Sequence, residues 1–361
     1  AGFASGEEHL RWVQASHAQH HQPACQIRDR APASSAALDP ENVTDPARLP
    51  DVGFRVDAER GRVVWTVDGE DCTKHFYPPN LRNLEFTAHS LIAEMDYAGV
   101  DMALLHTDPM LGRDSAFLAQ CVASYPQRLR SMAPVDEWRI LGEMDAVIAE
   151  LDASIADHGL HAIKFIPPFA YRAGLKPWDD GPYRPFWEAA TALGVPVFFT
   201  LGCGPVDWST GASLAEQREG HLNELRVLRR WMQRYPHVVC SLTHGFPWRL
   251  FLESQQIVLP QEIWEPFQNP NCHLEVCFPV RLGDLYDFPY QEVWPVLEEM
   301  VGRVGADRLL WGTDMPFQNR FCTYRQSRRW IEQYCDFLSG DDLALIMGGT
   351  ARRILGLQSA P

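Results

Sequence analysis

The stretch LLWGTDMPF at 309–317 decides the fold. Leu309, Leu310 and Trp311 form an apolar run that reads as a buried strand. Gly312 lets the backbone turn, Thr313 and Asp314 arrive at the strand's C-terminal tip, and Pro316 stops the strand. A carboxylate at the tip of a late strand, in a chain that alternates strands and helices, is where a (β/α)8 barrel keeps its chemistry. The plain alternative is an Asp that only caps the following helix.

Working upstream, the same unit recurs. Helical segments near 85–99, 114–125, 143–158, 184–193 and 221–235 lead into MALLH (102–106), RSMAPV (130–135), HAIKFIP (161–167), VPVFFTLG (195–202) and VVCSLTHG (238–245). A segment at 248–266 leads into CHLEVCFP (272–279), and a helix at 290–304 leads into RLLWGTD (308–314). Helices near 324–338 and 341–355 close the chain. Strands apolar on both sides belong to a parallel sheet covered on both faces. Seven such units indicate an α/β chain with a TIM-barrel body over 85–361, its first strand expected before residue 1. An open doubly wound sheet would want a Gly-rich phosphate loop after its first strand, and none is present.

Residues 1–84 differ. Residues 1–30 read as an N-terminal helical segment running from a Ser5 cap to Pro23. Residues 31–84 read as loop plus a β-hairpin or three-stranded meander at 54–78, turning at AERG and DGED. This small β-rich piece is expected between barrel strand one and helix one, near the mouth of the site.

The 361 residues are 46% hydrophobic and carry a net charge of -15, with no basic block longer than two adjacent arginines. Nucleic acid and anionic membrane are poor partners for such a chain. No apolar run approaches the roughly 20 residues of a membrane span, and no secretory signal is visible. Nine scattered cysteines without a CxxC pair read as reduced thiols in a cytoplasmic protein.

On a barrel, the strand tips of one face form the site. Those tips carry His106 and Asp108, Asp136, Lys164, Thr200, His244, Glu275 and Asp314. His244 and Asp314 would end strands six and eight, where an imidazole and a carboxylate can hold water or move a proton. His106 is placed to contact substrate. Lys164 reads as a substrate cation, as a carbamylated metal bridge at a strand-four tip, or as an interior lysine paired with a carboxylate. Arg249, after THGFPW, and Arg320, in MPFQNRF, can reach an anion or form surface ion pairs. Aromatic residues in the loops, among them Phe169, Trp208, Phe246, Trp248 and Phe317, suit a planar aromatic acid or ordinary loop packing. His17 and His21 share a face of the first helix at metal-binding spacing, though such clusters are more often structural.

LLWGTDMPF, SLTHGFP, HAIKFIPP and the closing DLALIMGGTARRILGL (342–357) resemble the amidohydrolase-related family. The resembling branch contains aminocarboxymuconate-semialdehyde decarboxylase, γ-resorcylate decarboxylase and 2-pyrone-4,6-dicarboxylate lactonase. The resemblance covers about residues 85–356 and implies a TIM-barrel enzyme with one divalent metal, Zn or Mn. It makes Asp314 a metal ligand and catalytic acid–base group, and His244 the residue that orients water or substrate. Two positions depart from the family pattern: no HxH strand precedes the first barrel helix, and Thr200 stands where a strand-five His is expected. A Thr hydroxyl is a poor zinc ligand.

The resemblance implies non-oxidative decarboxylation of a hydroxylated aromatic or unsaturated carboxylic acid, with Arg249 or Arg320 on its carboxylate. The alternatives are hydrolysis of a lactone or amide by Asp/His water activation, with or without metal, and a non-catalytic barrel subunit. The partner is a small-molecule carboxylic acid, and a homo-oligomer is expected.

Overall fold

The computed structural model describes residues 5–357 apart from 42, 44, 80, 109–111, 175, 209 and 210. Its centre is a seven-stranded parallel sheet. The N-terminal strands are β1 (Ala24–Gln26), β2 (Pro32–Ala33), β3 (Arg55–Asp57), β4 (Arg62–Val67) and β5 (Glu70–Lys74). The central sheet holds β6 (Ala103–Leu105), β7 (Leu129–Pro134), β8 (Ala162–Phe165), β9 (Val197–Phe199) and β10 (Cys240–Leu242). After a short hairpin, β11 (Leu252–Glu253) and β12 (Gln256–Ile257), it is completed by β13 (Cys272–Val276) and β14 (Leu309–Trp311). The order β14-β13-β10-β9-β8-β7-β6 follows the chain, as right-handed strand–helix–strand crossovers produce.

These seven strands are the staves of a TIM barrel, curled so that the two outer strands approach each other. His106 follows β6 and Asp314 follows β14, yet His106 Nε2 lies 3.3 Å from Asp314 Oδ1. The strand expected before residue 1 lies outside the described residues. Parallel register puts the strand ends on one rim, with Lys164 opposite Phe198, Leu242 opposite Phe199 and Glu275 opposite Leu310. Between strands, helices pack apolar faces on the sheet and end on signals readable in the sequence. Thr87 caps Ala88–Ala98, which stops at Gly99 with φ 70°. Ser213 and Glu216 form a reciprocal capping box on Leu214–Arg234.

The N-terminal region is a separate layer. Ser5 caps the helix Gly6–Gln19 as expected. The meander β3–β4–β5 forms, but β1 and β2 extend it to a five-stranded antiparallel sheet in which Ala24 pairs with Lys74. These two short strands fall in segments that read as helix end and loop, because three or fewer residues carry no periodicity. Val13, Trp65, Phe76 and Tyr77 of this layer share a core with Cys277, Val280 and Phe317 of the barrel. The layer therefore sits over the tips of β13 and β14. No helix among the described residues is long and apolar enough to cross a membrane. All nine cysteines are free thiols, and eight are buried.

Candidate active site

At the rim, His106, His244 and Asp314 converge, with ligand-capable atoms within 4.8 Å of one another. Both His244 and Asp314 adopt left-handed backbone, with φ 65° and 55°. Such φ values are uncommon for residues with a Cβ and typically cost about 1–3 kcal/mol, held by surrounding structure. The turn after β14 is thus made by Asp314 itself. Gly312 has another role: a Cβ there would collide with the Glu275 carboxylate. Gly245, with φ 73°, likewise leaves space for the Trp248 ring.

Glu275 fixes His244 by accepting its backbone N–H. The His244 ring Nδ1 is 3.6 Å from the same carboxylate oxygen and has no hydrogen-bond partner, as is true of His106 Nδ1. Burial pushes the His244 imidazole well below its ordinary value, so it is neutral at pH 7. Burial alone would raise the Asp314 carboxyl, but a hydrogen bond from His106 and the Arg281 charge hold it below the usual carboxylate range. Glu275 is raised, chiefly by burial.

Lys164 lies under this group, 2% exposed. Its Nζ donates to Thr200 Oγ1 at 2.6 Å and Thr243 Oγ1 at 2.9 Å. Burial lowers its pKa to about 8, against the opposing pull of Glu275, Asp314 and Asp108. The Thr200 hydroxyl that replaces an expected imidazole therefore serves as an acceptor for an ammonium. A cavity of about 590 Å³ runs between the outer edges of β6 and β14 and reaches His106, Glu275 and Asp314.

Other candidates lie further out. Arg249 gives Nη2 to Asp284 and Nε to the Arg281 carbonyl at 3.2 Å. Arg320 donates Nε to Phe317 O at 2.9 Å and lies over the Phe321 ring at 4.8 Å. His17 is a core residue rather than a ligand, buried against Phe54, Phe76 and Tyr77 with Nδ1 2.8 Å from Val13 O. Phe246 and Trp248, each 1% exposed, are core packing. Arg281, which sequence reading passed over, brings its charge to bear on His244, Lys164 and Asp314. Its signal was available: FPVR follows β13 much as FPWR follows THG.

The sequence model of the amidohydrolase family matches residues 71–357, and the chain belongs to that family. The γ-resorcylate decarboxylase of a Rhizobium species is 26% identical over 232 residues, 57% of this chain and 65% of the relative. That of a Polaromonas species is 26% identical over 235 residues, 57% and 66%. The chain thus spans just under two thirds of the length of these curated relatives.

Solved structures show the same fold. A dihydroxybenzoic acid decarboxylase from Polaromonas, with bound manganese and the inhibitor 2-nitroresorcinol, superposes with TM-score 0.55 at 20% identity, covering 77% of this chain and 88% of that one. The Rhizobium 2,6-dihydroxybenzoate decarboxylase gives 0.54 at 19%, covering 74% and 87%. A candidate 2-pyrone-4,6-dicarboxylic acid hydrolase from Pseudomonas putida gives 0.57 at 16%, covering 79% and 91%.

Proposed function

We propose that this chain is an enzyme that decarboxylates a hydroxylated aromatic carboxylic acid without an oxidant. The observation that carries the reading is the convergence of His106, His244 and Asp314 on the rim, two of them held in left-handed backbone. The named activities of the curated relatives point the same way.

The donor set fits a divalent ion. Two imidazoles with unmet buried nitrogens and one ionised carboxylate suit Zn or Mn, with positions left open. His106, His244 and Asp314 would hold it. When bound, the ion withdraws electrons from the substrate's oxygens.

Asp314, ionised at rest, takes the proton of a ring hydroxyl and delivers it to the ring carbon that bears the carboxylate. The carbon–carbon bond then breaks, its electron pair returns to the ring, and carbon dioxide leaves. The resulting phenolate takes a proton from solvent. His244, kept neutral, orients the hydroxyl. Lys164 steadies the charge on oxygen as it develops.

Incubation with 2,6-dihydroxybenzoate in deuterium oxide tests this by NMR. The expected product is resorcinol with deuterium at the vacated carbon, together with carbon dioxide. A panel of hydroxybenzoates left intact, alongside ring opening of a pyrone or other lactone, would replace the reading with hydrolysis. That second reading is favoured by one observation, the low Asp314 pKa, since an ionised carboxylate can also take a proton from water.

A further inference from the structure

Four cationic side chains approach the strand tips, and they are not equally engaged. Lys164 rests on two threonine hydroxyls, and Arg249 is committed to Asp284. Arg281 Nε and Arg320 Nη1, by contrast, are buried with no hydrogen-bond partner. The Arg320 guanidinium is fixed on one side by Phe317 O and by the faces of Phe321 and Phe76, at 4.8 Å and 5.7 Å. Its charge and that of Arg281 act on each other and on Asp314. His20 and His21, stacked at 4.4 Å, feel the Arg320 charge and are kept neutral chiefly by burial. A buried donor left unmet is costly, and two guanidinium groups that share the condition are completed by an anion.

Which anion follows from the decarboxylation reading, on which this inference rests. As the carbon–carbon bond breaks, charge leaves the reacting carboxylate. A guanidinium pair clamped on that carboxylate stabilises the ground state more than the transition state and slows the step. The pair suits an anionic group that stays on the product. We propose that Arg281 and Arg320 hold a second carboxylate of the substrate, which is therefore a hydroxylated aromatic dicarboxylate that loses one carboxylate and keeps the other. Arg281 and Arg320 would then set specificity, while His244 and Asp314 act on the reacting carbon.

Binding measures this without turnover. Isophthalate carries two carboxylates and no hydroxyl, and benzoate carries one. Calorimetric titration of the full chain should show isophthalate bound at least about tenfold more tightly than benzoate. Arg281→Met and Arg320→Met should each bring that ratio close to one. Arg281→Lys, which keeps the charge and loses the fork, should fall between and guards against a variant that merely misfolds. Equal affinities in the unaltered protein, or a preference that survives both methionine variants, overturns the proposal. The outcomes for the two readings separate. Carbon dioxide release without an isophthalate preference keeps the reaction and removes the clamp. A preference without carbon dioxide release keeps the clamp and removes the reaction.

Discussion

Glu224 and Asp314 are two enclosed carboxylates in one barrel, and they are treated in opposite ways. Glu224 is fully buried and both its oxygens are taken, one by Tyr171 OH at 2.5 Å and the other by Trp178 Nε1 at 2.8 Å. Both partners are themselves packed in the main core. Asp314 keeps its side chain 20% exposed and stands among polar atoms that lack hydrogen-bond partners: His106 Nδ1, His244 Nδ1, Arg281 Nε and Arg320 Nη1. Burying polar atoms with every bond made fixes a structure, whereas leaving several unmet around one carboxylate makes sense only if something else completes them. Unmet buried atoms occur in the scaffold too, such as Trp231 Nε1 and Trp330 Nε1, so what marks the site is that several of them gather around one carboxylate.

The contrast is broken most directly by exchanging each carboxylate. Asp314→Asn preserves shape and removes the base. It should lower kcat/KM for decarboxylation by about a thousandfold or more, with a melting temperature within a few degrees of the parent. A variant that kept most of its activity would end the assignment of Asp314 as a reacting group and revive the non-catalytic barrel. Glu224→Ala should do the reverse. It strands the Tyr171 hydroxyl and the Trp178 N–H, for a loss of about 3 kcal/mol in urea unfolding, with turnover per folded molecule unchanged.

Glu224 also leaves a mark on stability against pH. Burial, with Asp207 and Asp179 nearby, raises it to about 7 although Tyr171 and Trp178 pull it down. The folded value lies above the unfolded one, so its contribution is fully present below about pH 4.5 and lost as pH rises through 7. Glu224→Gln should flatten that part of the profile.

Much of this was legible in the sequence, for reasons that differ by element. Long-period signals carried the barrel: apolar runs such as Leu309–Trp311 alternate with helices that have caps at Thr87 and Ser213. His244 and Asp314 could be placed because a strand tip fixes a side chain's position to within a turn. The reading of Gly312 shows the limit. A glycine next to a strand end suggests a turn, but its reason is the Glu275 carboxylate, which comes from another strand and has no trace in local sequence. Arg281 was missed for a related cause. Arg249 and Arg281 occupy similar motifs, and only Asp284 tells them apart by engaging the first. The strands β1 and β2 are too short to show alternation and exist because β5 offers β1 an edge and β1 in turn offers one to β2. Pairing across the chain, not composition, decided each of these.

Lys164 sharpens the comparison from the cationic side. Its ammonium has two hydroxyl acceptors, which satisfies it as Glu224 is satisfied, but it also faces Glu275, Asp314 and Asp108, as a site cation does. With its pKa lowered to about 8 chiefly by burial, the group is charged at neutral pH and loses its proton as pH climbs past 8. If the charge assists turnover, kcat/KM should fall by about tenfold for each pH unit above that point. Lys164→Arg should lower the rate throughout, because a planar fork does not fit between Thr200 Oγ1 and Thr243 Oγ1 as an ammonium does. The guanidinium keeps its proton, so the alkaline fall should disappear from the variant's profile. An alkaline limb identical in both proteins would assign the titration to another group. Lys164 would then stand with Glu224 as part of the scaffold.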